Sequence, residues 1–233
     1  VLEVSLKELI SSPLGEVLLD HQFWPTAVSD VADSIDSSLA SNPNLVVIGR
    51  AAFTQVCFTW GGCNFYLPDQ AKLMKFVKES HLYQLSLIDP DRYATELRGK
   101  GLTSSLVEQS MQEQHYLNTT SQPETGLTDN QAWKTEVSEI IKYLRQILSD
   151  LELSIDEIHR VISSVFTAMS FMKGGQALFV PTCKSLEAEL RKKLVYRQFN
   201  GKNARQIARK YHISLQHVYR LIKSETINNR TPL

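Results

Sequence analysis

Two short blocks in this chain repeat one another, and a duplication limits the possible folds more than any local propensity does. WGGCNFYLP at 60–68 and KGGQALFVP at 173–181 both run from a Gly-Gly pair through two variable residues to three apolar or aromatic ones and then Pro. Upstream, Val28, Val31, Ile35 and Leu39 fall opposite Val137, Ile140, Leu144 and Leu148. Next, Leu45, Ile48, Phe53, Val56 and Phe58 fall opposite Ile158, Val161, Phe166, Met169 and Phe171. Downstream, Leu102, Thr103 and Val107 take the places of Ile213, Ser214 and Val218. The offsets of these blocks are 109, 113 and 111 residues, and small changes of offset belong in loops. Helical periodicity alone is generic. A Gly-Gly-to-Pro block at the same place in both series is not, so the chain reads as a tandem duplication.

Each copy then has one plan: two helices, a Gly-Gly turn, a short strand ended by Pro, and a helical module. Glycine ends the second helix because it tolerates the left-handed backbone needed there. The strands NFYL (64–67) and ALFV (177–180) are too short to stand alone. The economical partner for each is the other. The expected fold is therefore mainly α: a tandem helical core of the dimerisation type, a short two-stranded antiparallel β ribbon, and helix-turn-helix modules. The expected boundaries are an N-terminal extension at 1–21 with no counterpart, a first copy at 22–111, and a polar linker at 112–130. The second copy's helices and strand occupy 131–181, a DNA-reading segment 182–224, and a tail 225–233.

The segment NARQIARKYHISLQHVYRLIK at 203–223 has helix-turn-helix spacing. Ile207, Ala208, Ile213, Val218, Leu221 and Ile222 are the positions that two crossed helices must bury. Ser214 caps the second helix, leaving free N–H groups directed toward a phosphate. Gln216, His217 and Arg220 suit base edges in a major groove. Arg197, Lys202, Arg205, Arg209, Lys210 and Lys223 suit phosphates, which set register and affinity. Tyr211 and Tyr219 are expected to pack within the module, with their hydroxyls at its edge. The chain has no net charge, but 182–223 holds eleven Lys or Arg against two Glu, a local charge of +9. A basic segment on an acidic body is the footprint of a nucleic-acid reader.

Other classes find no support. Nothing approaches a run of 18 apolar residues, so no membrane span is expected. The first residues lack a basic region followed by an apolar core, so no secretory signal is expected. Cys57, Cys63 and Cys183 form no CxxC pair, and suit a reducing cytoplasm without structural zinc. The six histidines have no metal-ligand spacing, and no phosphate loop, nucleophile elbow or paired-acid motif is present. Neither metal, cofactor nor enzymatic activity is expected.

With GGQALFVP followed by FNGKNARQIARKYHISLQHVYRLI, the chain resembles the Mor/C family of transcription activators from Mu-like phages. Gly174, Gly175, Phe179, Pro181, Phe199, Asn200, Gly201, Ala208, Tyr211, Ser214, Val218 and Tyr219 match its pattern. The first copy matches through Trp60, Gly61, Gly62, Tyr66 and Pro68, and loosely beyond. The resemblance implies a helical dimerisation region leading through a Gly-Gly turn and strand to a DNA-reading helix-turn-helix. It also implies that the strand lies near DNA, which makes Gly174, Gly175 and Gln176 a second candidate contact. Double-stranded promoter DNA and RNA polymerase, through its σ or α subunit, are the partners it implies.

Family members are usually half this length and act as homodimers, so one chain with two copies resembles a covalently linked dimer. Its two modules differ. Where the second has Gln216, His217 and Arg220, the first has Ser105, Leu106 and Gln109, and residues 69–111 carry no net charge. Lost cations weaken attraction to the phosphate backbone, so the first module is expected to have lost most of its affinity. The competing expectation is a protein-interaction regulator, an antiactivator that binds another regulatory protein or a second chain. It would work through Leu106, Tyr93 and Tyr83.

Overall fold

The computed structural model describes residues 5–11, 26–99, 112, 129–173, 176–180 and 182–228, and these are mainly helical. In the first half, α1 (Leu6–Ser11), α2 (Thr26–Leu39) and α3 (Pro43–Trp60) lead to strand β1 (Asn64–Leu67). Helices α4 (Gln70–Ile88) and α5 (Pro90–Gly99) follow. The second half runs α6 (Asp129–Ser149), α7 (Ile155–Lys173), β2 (Gln176–Phe179), α8 (Cys183–Gln198), α9 (Ala204–Lys210) and α10 (Leu215–Asn228). Among the described residues, no helix is long and apolar enough to cross a membrane.

Local chemistry sets where these helices begin. Asn42 precedes Pro43, which needs no N–H partner in the first turn, and its Oδ1 accepts from the amides of Asn44 and Leu45. Ser154 and Glu157 form a reciprocal capping box ahead of α7: the Glu157 carboxylate accepts from Ser154 N at 2.9 Å, and Ser154 Oγ accepts from Glu157 N at 3.3 Å. Ser5 and Glu8 do the same for α1. At the other end of α3, Gly62 takes φ +91°, the left-handed turn that leads into β1.

The core forms around α3 and α7. Every residue from Ala51 to Cys57 of α3 is buried, as expected for a helix covered on all sides. It packs against α1, α2, α6, α7 and α8, while α7 packs against α2, α3, α4 and α6. Phe53 on α3 and Phe166 on α7 are the largest fully buried side chains, and they hold corresponding positions in the two series of apolar residues. Helix α2 lies close on α3 at Gly49, where an added Cβ would stand 2.8 Å from both Ile35 Cγ2 and Leu39 Cδ1. Charge pairs join elements at the edges, with Asp36 receiving the Arg50 guanidinium and Asp156 of α7 receiving Arg92 of α5.

The N-terminal extension does not stand apart. Leu6 and Leu9 of α1 are buried in the same cluster as both halves, and α1 packs on α3. The linker also ends slightly early, because α6 already begins at Asp129.

Strands β1 and β2 pair antiparallel, with Asn64 opposite Phe179, Phe65 opposite Leu178, Tyr66 opposite Ala177 and Leu67 opposite Gln176. Gly62 N donates to Val180 O at 2.7 Å and Val180 N to Cys63 O at 3.2 Å, which carries the ladder one step past the strand ends. The ribbon thus joins segments more than a hundred residues apart within one chain.

His81 of α4 stacks on His159 of α7, with ring centroids 3.9 Å apart and planes at 8°. Burial holds the His81 imidazole below the usual histidine value of 6.5; Glu96 and Asp156 pull it up, and Arg145 and Arg92 push it down. An unfolded chain would take up this proton before the folded one does. The stabilisation is therefore complete above about pH 6.5 and falls away as the pH drops through the lower folded value. The urea midpoint is expected to fall between about pH 7.5 and pH 5.5, and His81→Gln should flatten that decline. An unchanged slope in the variant would remove His81 as its source.

Candidate nucleic-acid interface

The basic C-terminal segment folds as three helices around a small core of its own. Val195 of α8, Ala204 and Ile207 of α9 and Val218 of α10 are buried together, with Phe199, Ala208, Tyr211, Ile213, Leu221 and Ile222 packed around them. All six positions that the spacing assigns to the module are among them, and Val195, Phe199 and Ala204 are additions that it did not assign.

The turn before α9 is held by two asparagines. Asn200 Oδ1 accepts from the amides of Lys202 and Asn203, each at 3.0 Å, and Asn203 Oδ1 accepts from Asn200 N at 3.0 Å. Asn203 Nδ2 donates to Gln198 O at 2.7 Å, which ties the turn to the end of α8. Between them Gly201 takes φ +88° and has open space beside it. A side chain there would strain the backbone. Lys202 stands exposed at this tip.

Between α9 and α10, His212 adopts φ +52°, and Ser214 Oγ accepts from His217 N at 3.1 Å. Ser214 is thus the N-cap that the spacing predicts, with the first amides of α10 beside it. Beyond the cap, Gln216, Tyr219, Arg220 and Lys223 are exposed on α10. Their i, i+3, i+4, i+7 spacing places them on one stripe, opposite buried Val218. Arg205, Arg209 and Lys210 are exposed on α9, and Arg197 is exposed at the end of α8.

Several side chains are engaged in ways that the sequence does not reveal. His217 is half-buried, and its Nδ1 accepts from the Arg220 guanidinium. Lys210 Nζ donates to Gln198 Oε1 at 3.1 Å and lies 5.4 Å from the Tyr211 ring centre. Lys192 pairs at 3.1 Å with Glu225, which is only 6% exposed, so one cation of the basic segment serves to hold α10 on α8. Glu225 lies just past the expected boundary at 224, and α10 runs on to Asn228.

Tyr219 departs from its expected packing. It is 52% exposed and stands T-shaped to Phe199, at 6.4 Å between ring centroids. The signal that would have found it is its place in the stripe between Gln216 and Lys223. Tyr211 is half-buried, in keeping with a packing role.

Of the second candidate contact, Gly174 and Gly175 lie outside the described residues. Gln176 opens β2 opposite Leu67. Ser105, Leu106 and Gln109 of the first module also lie outside them. In α5, Arg92 is engaged by Asp156 and by Glu96 at 3.5 Å. The docking surface expected of Tyr83, Tyr93 and Leu106 is not formed by Tyr83. That ring is 8% exposed, turned into the packing of α4, and Tyr93 is half-buried.

Residues 131–231, from the start of α6 to beyond α10, match the model of the Mor transcription activator family. The chain is also similar to the late transcription activator C of Escherichia phage Mu, with 27% identity over 90 residues, 39% of this chain and 63% of that protein. The chain thus spans less than two thirds of the length of this relative. No solved structure matches it.

Proposed function

We propose that this chain is a sequence-specific DNA-binding transcription regulator, an activator of a phage-like or mobile-element operon. In this reading α9 and α10 form a helix-turn-helix. The observation that carries it is the exposed stripe Gln216, Tyr219, Arg220 and Lys223 on a helix capped by Ser214, flanked by the exposed cations of α9. A helix that buries one face and offers Gln and Arg from the other fits a major groove. Gln216 reads adenine and Arg220 reads guanine. His217 positions Arg220 through its Nδ1 rather than reading a base itself. Lys202, Arg205, Arg209, Lys223 and Arg197 meet phosphates. By the similarities above, the DNA is promoter DNA and the protein partner is RNA polymerase.

The second part of the proposal is that the two halves form a covalent pseudo-dimer with one working reader. The ribbon register supports it. Under the 113-residue offset, Phe65 opposite Leu178 maps onto itself, and Asn64 opposite Phe179 exchanges with Tyr66 opposite Ala177. That is the pairing two-fold-related strands adopt. The engagement of Arg92 by Asp156 supports a first half turned to internal contacts rather than to phosphates.

Gel-shift titration and footprinting over the region upstream of the chain's own and neighbouring genes test the reading. Arg220→Ala should weaken specific binding by about 1–3 kcal/mol and relax preference at one base pair. Lys202→Ala should weaken binding to all sequences alike and lessen its salt dependence. Equal losses on every sequence for both variants would leave a non-specific basic surface in place of a reader.

A further inference from the structure

A cleft of about 360 Å³ opens between α4 of the first half and α6 and α7 of the second. That is within the size range of small-molecule sites. Val77, Ile158 and Ile162 give it apolar walls, and the mutually stacked rings of His81 and His159 border it. Two cations from α6, Lys142 and Arg145, line it as well.

Arg145 is the informative member. One of its terminal nitrogens donates to the Ser80 carbonyl oxygen at 2.7 Å and to Ser80 Oγ at 3.0 Å. Both acceptors are neutral, and among the described residues no carboxylate pairs with this guanidinium. Burial pushes it down to about 10. A cation drawn from water with only neutral partners is costly, and the arrangement is relieved by an anion. The guanidinium fork retains donors beyond the nitrogen bonded to Ser80, in the geometry that receives a carboxylate or phosphate.

We propose that this cleft binds a small organic anion carrying an apolar body, with Arg145 and Lys142 receiving the charged head. The body lies against the stacked imidazoles and the isoleucines of α7. Because its walls come from both halves, an occupant bridges α4 to α6 and α7 and couples ligand concentration to how firmly the halves hold together. The site is separate from the stripe on α10, so it stands or falls independently of DNA binding.

Calorimetric titration of the full chain with benzoate, octanoate and phenyl phosphate tests the proposal, with neutral benzamide as control. Histidine ring resonances provide the second readout. At least one of the three anions should saturate a single site per chain and shift the His81 and His159 signals, whereas benzamide should do neither. The anion that binds distinguishes a carboxylate head from a phosphate head. Lys142→Met and Arg145→Met should each weaken that anion about tenfold or more, the scale of one charge-assisted hydrogen bond. Arg145→Met removes bonds to Ser80 and is read only if its thermal transition is intact; Lys142→Met carries the test if it is not. The proposal is overturned if no anion saturates below about 10 mM, a dissociation constant too weak for a built site. It is equally overturned if benzamide binds as well as the anions, or if Lys142→Met binds as the parent does.

Discussion

Phe166→Ala is expected to lower the unfolding free energy by about 3–5 kcal/mol, the usual cost of emptying a fully buried aromatic site. Phe166 is 0% exposed on α7, which is packed by helices from both halves, so the surroundings have little room to collapse into the space. Phe53→Ala should cost a similar amount from α3. Both rings belong to one continuous cluster that runs from Leu6 to Val180. Tryptophan fluorescence, which reports Trp60 and Trp133 of this cluster, should therefore show a single urea transition moving to lower denaturant in each variant. A loss below about 1 kcal/mol would mean that the site repacks freely. Two separate transitions would mean that the halves do not share a core.

Deleting residues 182–233 is expected to abolish DNA binding while leaving the rest folded. The removed part has its own small core around Val195, Ala204, Ile207 and Val218, distinct from the main cluster. Val180, the last core residue before the cut, stays with the ribbon and keeps its hydrogen bonds to Gly62 and Cys63. The truncated chain should melt cooperatively, and its gel-shift signal should fall to the level of an unrelated protein. Residual specific binding in the truncated chain would place a second reader in the first half and sink the asymmetry on which the pseudo-dimer reading rests. An unfolded remainder would instead show that α8, which touches α3, is part of the main core.

What the sequence made legible follows from how local each cause is. The apolar positions of α7 could be read because burial there follows the helical period, and Ser214 because an N-cap is a local hydrogen bond; α3, covered on all sides, buries Thr54 and Gln55 as well, which no period marks. The ribbon was legible from its two short strands, with β2 beginning one residue earlier than expected, at Gln176. Val180 keeps its ladder bonds but falls outside the regular strand. Helix α1 escaped notice because six residues with two core leucines carry too little periodicity. The His81–His159 stack and the Arg92–Asp156 pair are tertiary, joining residues from different halves that no spacing relates. Tyr219 was misplaced because an aromatic residue at helical spacing usually reads as core. Here its ring meets Phe199 in a T-shaped contact and is otherwise half exposed. The reverse holds for Tyr83, expected on a docking surface but only 8% exposed on α4.

Strands of four residues associate weakly when they must find each other in solution. Here β1 and β2 are tethered on a single chain, so their encounter is set by the reach of the intervening polypeptide rather than by how many molecules are present. Dilution, which pulls apart an assembly of separate subunits, leaves this pairing untouched. A cell holding only a few copies of the chain would hold the same fraction of them with the ribbon closed as a concentrated solution does.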